Sequence, residues 1–371
     1  MLHSPFRSLV RFILILVFTA SILVWIASAQ ATTLGYLPAQ SQLFQRALAA
    51  AKLTPADVRF AETDMSIWGE GAYRIKLLDT FFDNPWKISP YTRSWSDGVL
   101  ANKSDLARLA FSLHRRTDSG FNPVFGRDTN YRQQVQTLGE DALAIVLSQL
   151  TGLPANQLKD TQYQAIPIIL RSAVAQFLLA VPDALRYRNA GLLQTLTKLQ
   201  LDGDSTYARV MEYAINTIEK DNISPEQREP PETIHFIESL LDQVDFRFLN
   251  TGAIITLMAT QELQKQLDEI GVSRLIGPYH YSVETPFGKI VLSGQRNQEY
   301  APEDYLLIVD VSGDDLYRGG AATRNIRHGL SVTLDLSGND RYLSPAGTSP
   351  SFGAGILGYG VLMDMSGNDL Y

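Results

Sequence analysis

Three stretches in the last third of the chain share one eight-residue pattern: DVSGDDLY at residues 310–317, DLSGNDRY at residues 335–342 and DMSGNDLY at residues 364–371. We call them copies 1, 2 and 3. Each copy contains Asp, an apolar residue, Ser, Gly, Asp or Asn, Asp, any residue and Tyr. The first Asp recurs after 25 and then after 29 residues, a period that is typical of proteins built from stacked structural repeats.

Each copy is predicted to form a strand, a corner and the start of a second strand. Apolar residues flank the first Asp, so the alternation of a strand places them on one face and the Asp on the other. Glycine then permits positive φ at a sharp turn, and the Asp or Asn after it can bond nearby backbone N–H groups. This order of elements, once per repeat, predicts a parallel β-helix or a related β-solenoid over residues 272–371.

A degenerate copy is predicted to open the array. It has strand-like residues 290–292, the step Ser293-Gly294 and a later Tyr300, but it lacks both Asp positions. Terminal repeats are often atypical because they cap the stack. The sequence reaches Tyr371 on the last residue of copy 3, so we expect the solenoid to be incomplete at its C-terminus.

The first thirty residues predict export. Arg7 and Arg11 precede an apolar run from Phe12 to Ile26, and Ala27-Ser28-Ala29 supplies the small residues of a signal-peptidase site, so residues 1–29 are interpreted as a cleaved signal peptide. The alternative is an uncleaved anchor, since the run approaches the ~18 apolar residues that can span a membrane. No later segment is expected to span a membrane, which predicts a periplasmic, cell-envelope or extracellular protein.

Composition narrows the classes of partner. The chain has no Cys, which excludes disulfides and thiolate metal sites. It holds 32 Lys plus Arg against 39 Asp plus Glu, and two of the Arg lie in the leader, so the exported chain carries a net charge of −9. An acidic chain without a basic patch argues against nucleic acid as a partner and favours divalent cations.

Residues 30–271 show mainly helical spacing of apolar side chains, and the pattern changes to strands near residue 272. The Pro-rich stretch 222–231 is the best candidate linker. Residues 67–100 hold three of the four Trp of the chain, which indicates either an aromatic platform for a ligand or a core beneath irregular loops. The predicted fold class is α+β multidomain, an N-terminal all-α domain followed by a truncated parallel β-helix.

Stacked copies would bring acidic side chains into columns about 4.8 Å apart. Two carboxylates at that distance repel by about 3.5 kcal/mol at an effective dielectric near 20, but by under about 1 kcal/mol in water. Calcium would relieve this repulsion, since it takes six to eight oxygen ligands. The predicted ligands are the second Asp of each copy and its preceding residue: Asp315, Asp340, Asp369, Asp314, Asn339 and Asn368. The first column, Asp310, Asp335 and Asp364, is a weaker candidate. The alternative is that all of these side chains only bond their own turns.

The stretches Gly313 to Tyr317, Gly338 to Tyr342 and Gly367 to Tyr371 resemble the Gly-x-Asp-x-large core of the calcium-binding β-roll repeats of RTX exported proteins. The resemblance implies that Asp315, Asp340 and Asp369 bind calcium. RTX repeats follow one another every nine residues, whereas these copies lie 25 and 29 residues apart. The chain is more similar to exported proteins with widely spaced Gly-Asn/Asp-Asp-x-Tyr repeats.

The sequence contains neither the His-Glu-x-x-His motif of zinc proteases nor the Gly-x-Ser-x-Gly motif of serine hydrolases. The leading hypothesis is therefore a non-catalytic binding or scaffold protein of the cell envelope or exterior with a calcium-stabilised solenoid. Its candidate partners are a cell-surface glycan or an envelope protein. Two alternatives remain open: a carbohydrate-active enzyme on a parallel β-helix, and a functional helical domain carried by the repeats as a stalk.

Overall fold

The computed structural model describes residues 46–54, 88–117, 130–195, 242–294, 297–323, 325–344 and 351–371, with the single positions 57, 77, 81, 82 and 197. The predicted signal peptide, residues 1–29, and the predicted linker, residues 222–231, lie outside the described residues. Trp68 and Trp86 of the aromatic stretch also lie outside them.

The predicted fold class is wrong. The structure is a mixed α/β protein with helices and two small sheets, and the described residues contain no β-helix. Strands of successive copies do pair in parallel, but the first strand folds back as an antiparallel hairpin. The second sheet has strands of only two residues, and the connections between copies contribute an isolated bridge instead of a strand.

The described helices belong to two compact units, one within residues 27–121 and one within residues 122–371. The first unit contains α1 (Ile88–Ala101) and α2 (Leu106–Thr117). The helices of the second unit are α3 (Tyr131–Leu138), α4 (Ala142–Thr151), α5 (Thr161–Ala165), α6 (Ile168–Gly191) and α7 (Phe246–Ile270), with 3-10 turns at Gly139–Asp141 and Val272–Arg274. Because most of residues 30–129 lie outside the description, an all-α domain is not established there.

Helix ends in the second unit follow from capping side chains. Asn130 accepts a hydrogen bond from the backbone N–H of Gln133 before α3, and Asp160 accepts one from Tyr163 before α5. Asp245 caps α7 in the same way, and Gly271 ends that helix at φ 83°. The long helices α6 and α7 pack against each other and form the helical core.

Helix α6 is long and apolar enough to span a membrane, with a mean hydropathy of 1.6 over its most apolar window. From the sequence, that property is predicted for the N-terminal run alone. More than half of this window is buried inside the protein, where α6 packs on α4 and α7. The core helix of a soluble protein passes the same test, so the helix is weak evidence for a membrane span.

The strands of the second unit are β1 (His280–Val283), β2 (Lys289–Ser293), β3 (Glu299–Tyr300), β4 (Tyr305–Asp310), β5 (Leu316–Tyr317), β6 (Leu330–Asp335), β7 (Arg341–Tyr342) and β8 (Tyr359–Asp364). One sheet has the order β1-β2-β4-β6-β8 and the other β3-β5-β7. All pairs are parallel except β1 with β2. Copies 1 and 2 therefore each span the corner between a six-residue strand of the first sheet and a two-residue strand of the second, while copy 3 continues from β8 only to an isolated bridge at Leu370.

Two sets of buried contacts join the helices to the first sheet and to the connections between its strands. Tyr359 on β8 donates its hydroxyl to the backbone carbonyl of Leu249 on α7 at 2.7 Å. Arg188 on α6 is 3% exposed, and its guanidinium donates to the carbonyl oxygens of Leu357 at 2.5 Å and Ile326 at 3.1 Å. Arg188 thereby fixes the two long connections that separate the copies.

Candidate metal centre

The first Asp of each copy stands at the end of a strand of the larger sheet. Asp310 pairs in register with Asp335, and Asp335 with Asp364. Partners in register on parallel strands point to the same face, so the three carboxylates form a column. Asp310 and Asp335 are 0% exposed, and Asp364 is half-buried.

The Tyr of each copy lies beside this column. The rings of Tyr300, Tyr317, Tyr342 and Tyr371 stack in sequence with centroids 4.7 Å apart and planes within 10°. The Tyr300 hydroxyl donates to Asp310 and the Tyr317 hydroxyl donates to Asp335. Tyr300 and Tyr317 thus reach the first Asp of the following copy, whereas the Tyr371 hydroxyl donates to Asp364 of its own copy at 2.8 Å.

The second Asp of each copy folds back over the Gly two residues before it. A Cβ on Gly338 would lie 2.6 Å from both carboxylate oxygens of Asp340. The backbone N–H of Asp315 donates to Asp340 at 2.6 Å, and that of Asp340 donates to Asp369 at 2.9 Å. Each second-column carboxylate therefore binds the preceding copy with one oxygen.

The residue between the Gly and the second Asp of each copy faces solvent. Asp314, Asn339 and Asn368 are exposed, and they link the copies on the outside. The backbone N–H of Asn339 donates to Asp314 at 2.9 Å, and that of Asn368 donates to Asn339 at 3.2 Å. The structure does not bring these three predicted ligands into the acidic groups described next.

Six carboxylates form two groups in which ligand atoms lie within 4.8 Å of one another. The inner acidic group is Asp310, Asp315 and Asp335, and the outer acidic group is Asp340, Asp364 and Asp369. Each group contains carboxylates of both columns, whereas the sequence predicts the second column as the stronger candidate. The Tyr of each copy could have indicated that the first column also belongs to the site. A buried Tyr hydroxyl requires a hydrogen-bond acceptor, and the first Asp supplies one.

Buried oxygens in these groups lack hydrogen-bond partners within the described part of the chain. They are Asp315 Oδ2, Asp335 Oδ1 and Asp340 Oδ2, on side chains that are 2%, 0% and 1% exposed. A buried carboxylate is costly unless it is paired, protonated or bound to a metal. The cluster of buried Asp residues could therefore hold a metal ion.

The acidic groups have strongly altered pKa values. Burial raises the pKa of Asp310 to about 8, and the neighbouring charge of Asp315 adds to the rise. Burial also raises the pKa of Asp340 to about 7 and holds that of Asp335 well above its usual range. Without a cation, some of these carboxyl groups must remain protonated near neutral pH. A bound cation would take the place of those protons.

The degenerate first copy differs from its predicted alignment. The Cα of Ser293 pairs with Asp310 and that of Tyr300 with Tyr317, so Ser293 replaces the first Asp and not the Ser of the pattern. The second Asp is replaced by Gln298, whose backbone N–H donates to Asp315. Both columns of acids therefore begin with a neutral residue.

Comparisons of the chain with protein-family models, with curated proteins and with solved structures find no match. The resemblance to RTX repeats thus stays a prediction from the motif.

The Tyr-to-Asp bonds give a first test of the site. Tyr317→Phe keeps the stacked ring but leaves a buried oxygen of Asp335 without its donor, so the free energy of unfolding of the metal-free protein should fall by about 1–3 kcal/mol. Chemical denaturation measures this change. Tyr281→Phe is the control, because its hydroxyl bonds the neutral carbonyl of Leu158 at 3.2 Å and its loss should cost about 1 kcal/mol or less. A smaller loss for Tyr317→Phe than for the control would contradict the assigned role.

Proposed function

We propose that this protein is an exported, non-catalytic binding or scaffold protein of the cell envelope or exterior, in which calcium neutralises the two acidic groups and stabilises the repeat sheets. The observation that carries the proposal is the set of buried carboxylate oxygens that have no partner among the described residues, Asp315 Oδ2, Asp335 Oδ1 and Asp340 Oδ2. Within the part of the chain that the structure describes, no ion pair joins a Lys or Arg to these carboxylates, so a divalent cation would supply the missing positive charge.

The donor set favours calcium over transition metals. Both groups offer carboxylate oxygens and neither contains a His, while the chain has no Cys at all. Hard oxygen ligands suit calcium and magnesium, whereas zinc, copper and nickel prefer nitrogen or sulfur. Calcium tolerates irregular geometry and can complete six to eight ligands with backbone carbonyls and water, while magnesium demands a near-ideal octahedron. Three carboxylates held partly by strand register and partly by backbone N–H groups at the corners fit the more tolerant ion better.

The carboxylates give little support to the carbohydrate-active alternative. A glycosidase needs two carboxyl groups that flank a sugar at ~5 to 9.5 Å. Asp310, Asp315, Asp335 and Asp340 are instead buried at 2% exposure or less. Their Tyr and backbone partners hold them inside the protein, where a polysaccharide cannot reach them.

Export and partners are proposed from the sequence. The leader at residues 1–29 supports secretion, and a net charge of −9 in the exported chain supports a partner other than nucleic acid. A cell-surface glycan or an envelope protein is the proposed partner.

Metal binding can be measured directly on the exported chain at pH 8. We expect about two calcium ions per molecule by isothermal titration, one for each acidic group. Terbium in place of calcium should show luminescence excited through the tyrosines, because Tyr317 and Tyr342 stack beside the carboxylates. Calcium and terbium should compete for the same sites.

A matched pair of variants assigns the binding to the acidic groups. Asp340→Asn removes a buried carboxylate with an unpartnered oxygen, so it should abolish or greatly weaken binding of at least one ion. Asp314→Asn removes an equal charge from the exposed position that is already Asn in copies 2 and 3, and it should leave binding unchanged. Absence of calcium and terbium binding by the unaltered protein would refute the proposal.

A further inference from the structure

Ser293 has an unusual position next to the inner acidic group. It is the last residue of β2, its Cα pairs with Asp310, and it is 0% exposed. Its hydroxyl has no hydrogen-bond partner within the described parts of the chain. A buried hydroxyl without a partner costs about 1–3 kcal/mol, so it calls for an explanation.

The register directs this hydroxyl along the first column of acids. Residues paired on parallel strands point to the same face and lie about 4.8 Å apart. In agreement, Val291 and Ile308, which pair two residues earlier on the same two strands, belong to one buried cluster with the stacked tyrosines. Ser293 thus occupies the position that Asp310 and Asp335 occupy on the next two strands.

The chemistry of the position fits a neutral ligand. The inner acidic group already offers three carboxylates to one divalent cation, so a fourth carboxylate would leave two negative charges in excess. On the other side of Ser293 the sheet continues with β1, where His280 pairs with Ser293 and the Tyr279 ring lies where a Cβ on Gly294 would be. The hydroxyl adds a hard oxygen without adding charge at this end of the column of acids.

We propose that the Ser293 hydroxyl is a ligand of the cation bound by Asp310, Asp315 and Asp335, so that the inner site consists of three carboxylates and one hydroxyl. This inference rests on the proposed cation binding. It assigns a role to the degenerate first copy, which closes the array of acids with an oxygen donor. The outer acidic group, bounded by copies 2 and 3, does not use Ser293.

Ser331 provides a matched control. Its hydroxyl is also 0% exposed and also lacks a partner among the described residues. It lies on the same face of β6 as Asp335 but four residues earlier, which places it about 13 Å away along the strand. Ser331→Ala therefore removes an equally buried hydroxyl that cannot reach the inner acidic group.

The experiment titrates calcium into the unaltered chain and both variants at pH 8. Ser293→Ala should weaken one of the two binding events about tenfold and leave the other unchanged, if the hydroxyl contributes as much as a strong hydrogen bond. Ser331→Ala should bind calcium like the unaltered chain. In excess chelator, Ser293→Ala should be at least as heat-stable as the unaltered chain, because it removes a buried hydroxyl that has no partner. With calcium present, its melting temperature should be lower than that of the unaltered chain.

Three outcomes separate the claims. Equal calcium affinity of Ser293→Ala and the unaltered chain would overturn the ligand role of Ser293 while leaving the cation sites intact. Equal weakening by both serine variants would also overturn it, since the effect would then come from packing. Failure of the unaltered chain to bind calcium would instead refute the proposed function on which the inference rests.

Discussion

Removal of calcium at pH 8 is expected to lower the melting temperature by about 10–20 °C, and at pH 5 by only a few degrees. A ligand at 100 times its dissociation constant stabilises a protein by about 2.7 kcal/mol, so two ions contribute about 5 kcal/mol. Each kcal/mol shifts the melting temperature of a unit of this size by about 2–4 °C. Differential scanning calorimetry with calcium or with chelator measures the shift.

The pH dependence follows from the raised pKa values of the buried acids. Asp310 has a pKa of about 8 in the folded protein and an ordinary value of 3.8. Between these values the folded state holds a proton that the unfolded state has lost, so the stability of the metal-free protein falls as the pH rises from about 4 through 8. Asp340, with a pKa of about 7, adds to the loss in the same direction.

Calcium reverses this dependence because it binds the charged carboxylates. At pH 5 calcium must displace protons from Asp310 and Asp340, whereas at pH 8 fewer protons remain on these two side chains to compete with it. The melting temperature in excess calcium should therefore stay level or rise between pH 5 and pH 8, while that of the metal-free protein falls. A metal-free protein equally stable at both pH values would contradict the proposed electrostatics. Sodium chloride at matched ionic strength controls for general screening.

The alignment of the copies could be predicted from the sequence, because the copies can be compared within one chain. The stacking of Asp310 on Asp335 and Asp364 follows from the register that the pattern implied. The sequence did not predict that both columns contribute to each acidic group. That depends on how the second Asp folds back at the corner, a tertiary detail that strand alternation does not encode.

The predicted β-helix failed for a related reason. A repeat of 25 to 29 residues fixes the pairing of the conserved strands, but it does not determine the structure of the residues between them. Those connections are bound by Arg188 and interrupted by positive φ at Ala321 and Leu357, so among the described residues they form loops and one isolated bridge. The alignment of the first copy failed because Ser293-Gly294 imitates the Ser-Gly step of the pattern, while the pairing of β2 with β4 shifts it by two residues.

Gly338→Ala is expected to cost about 3 kcal/mol or more and to lower the melting temperature by about 6–12 °C, whether or not calcium is present. The repeat pattern predicts a turn with positive φ at this glycine, and Gly313 does have positive φ, at 153°. Gly338 is not among the glycines with positive φ, so its requirement is one of space. A Cβ at this position would overlap the backbone carbonyl of Gly313 and both carboxylate oxygens of Asp340.

The Asp340 side chain and the Gly313 carbonyl differ in how easily they could move away from an added Cβ. The Asp340 side chain could rotate away, but it would then lose the N–H of Asp315 and leave the outer acidic group. The Gly313 carbonyl belongs to the neighbouring copy and can move only if the copies separate. Ser337→Ala is the control at the adjacent position, where the loss of one hydrogen bond to Val311 at 2.9 Å should cost about 1 kcal/mol. Equal stability of the two variants would show that the copies stack less closely than this structure indicates, and the carboxylates would then be too far apart to share an ion.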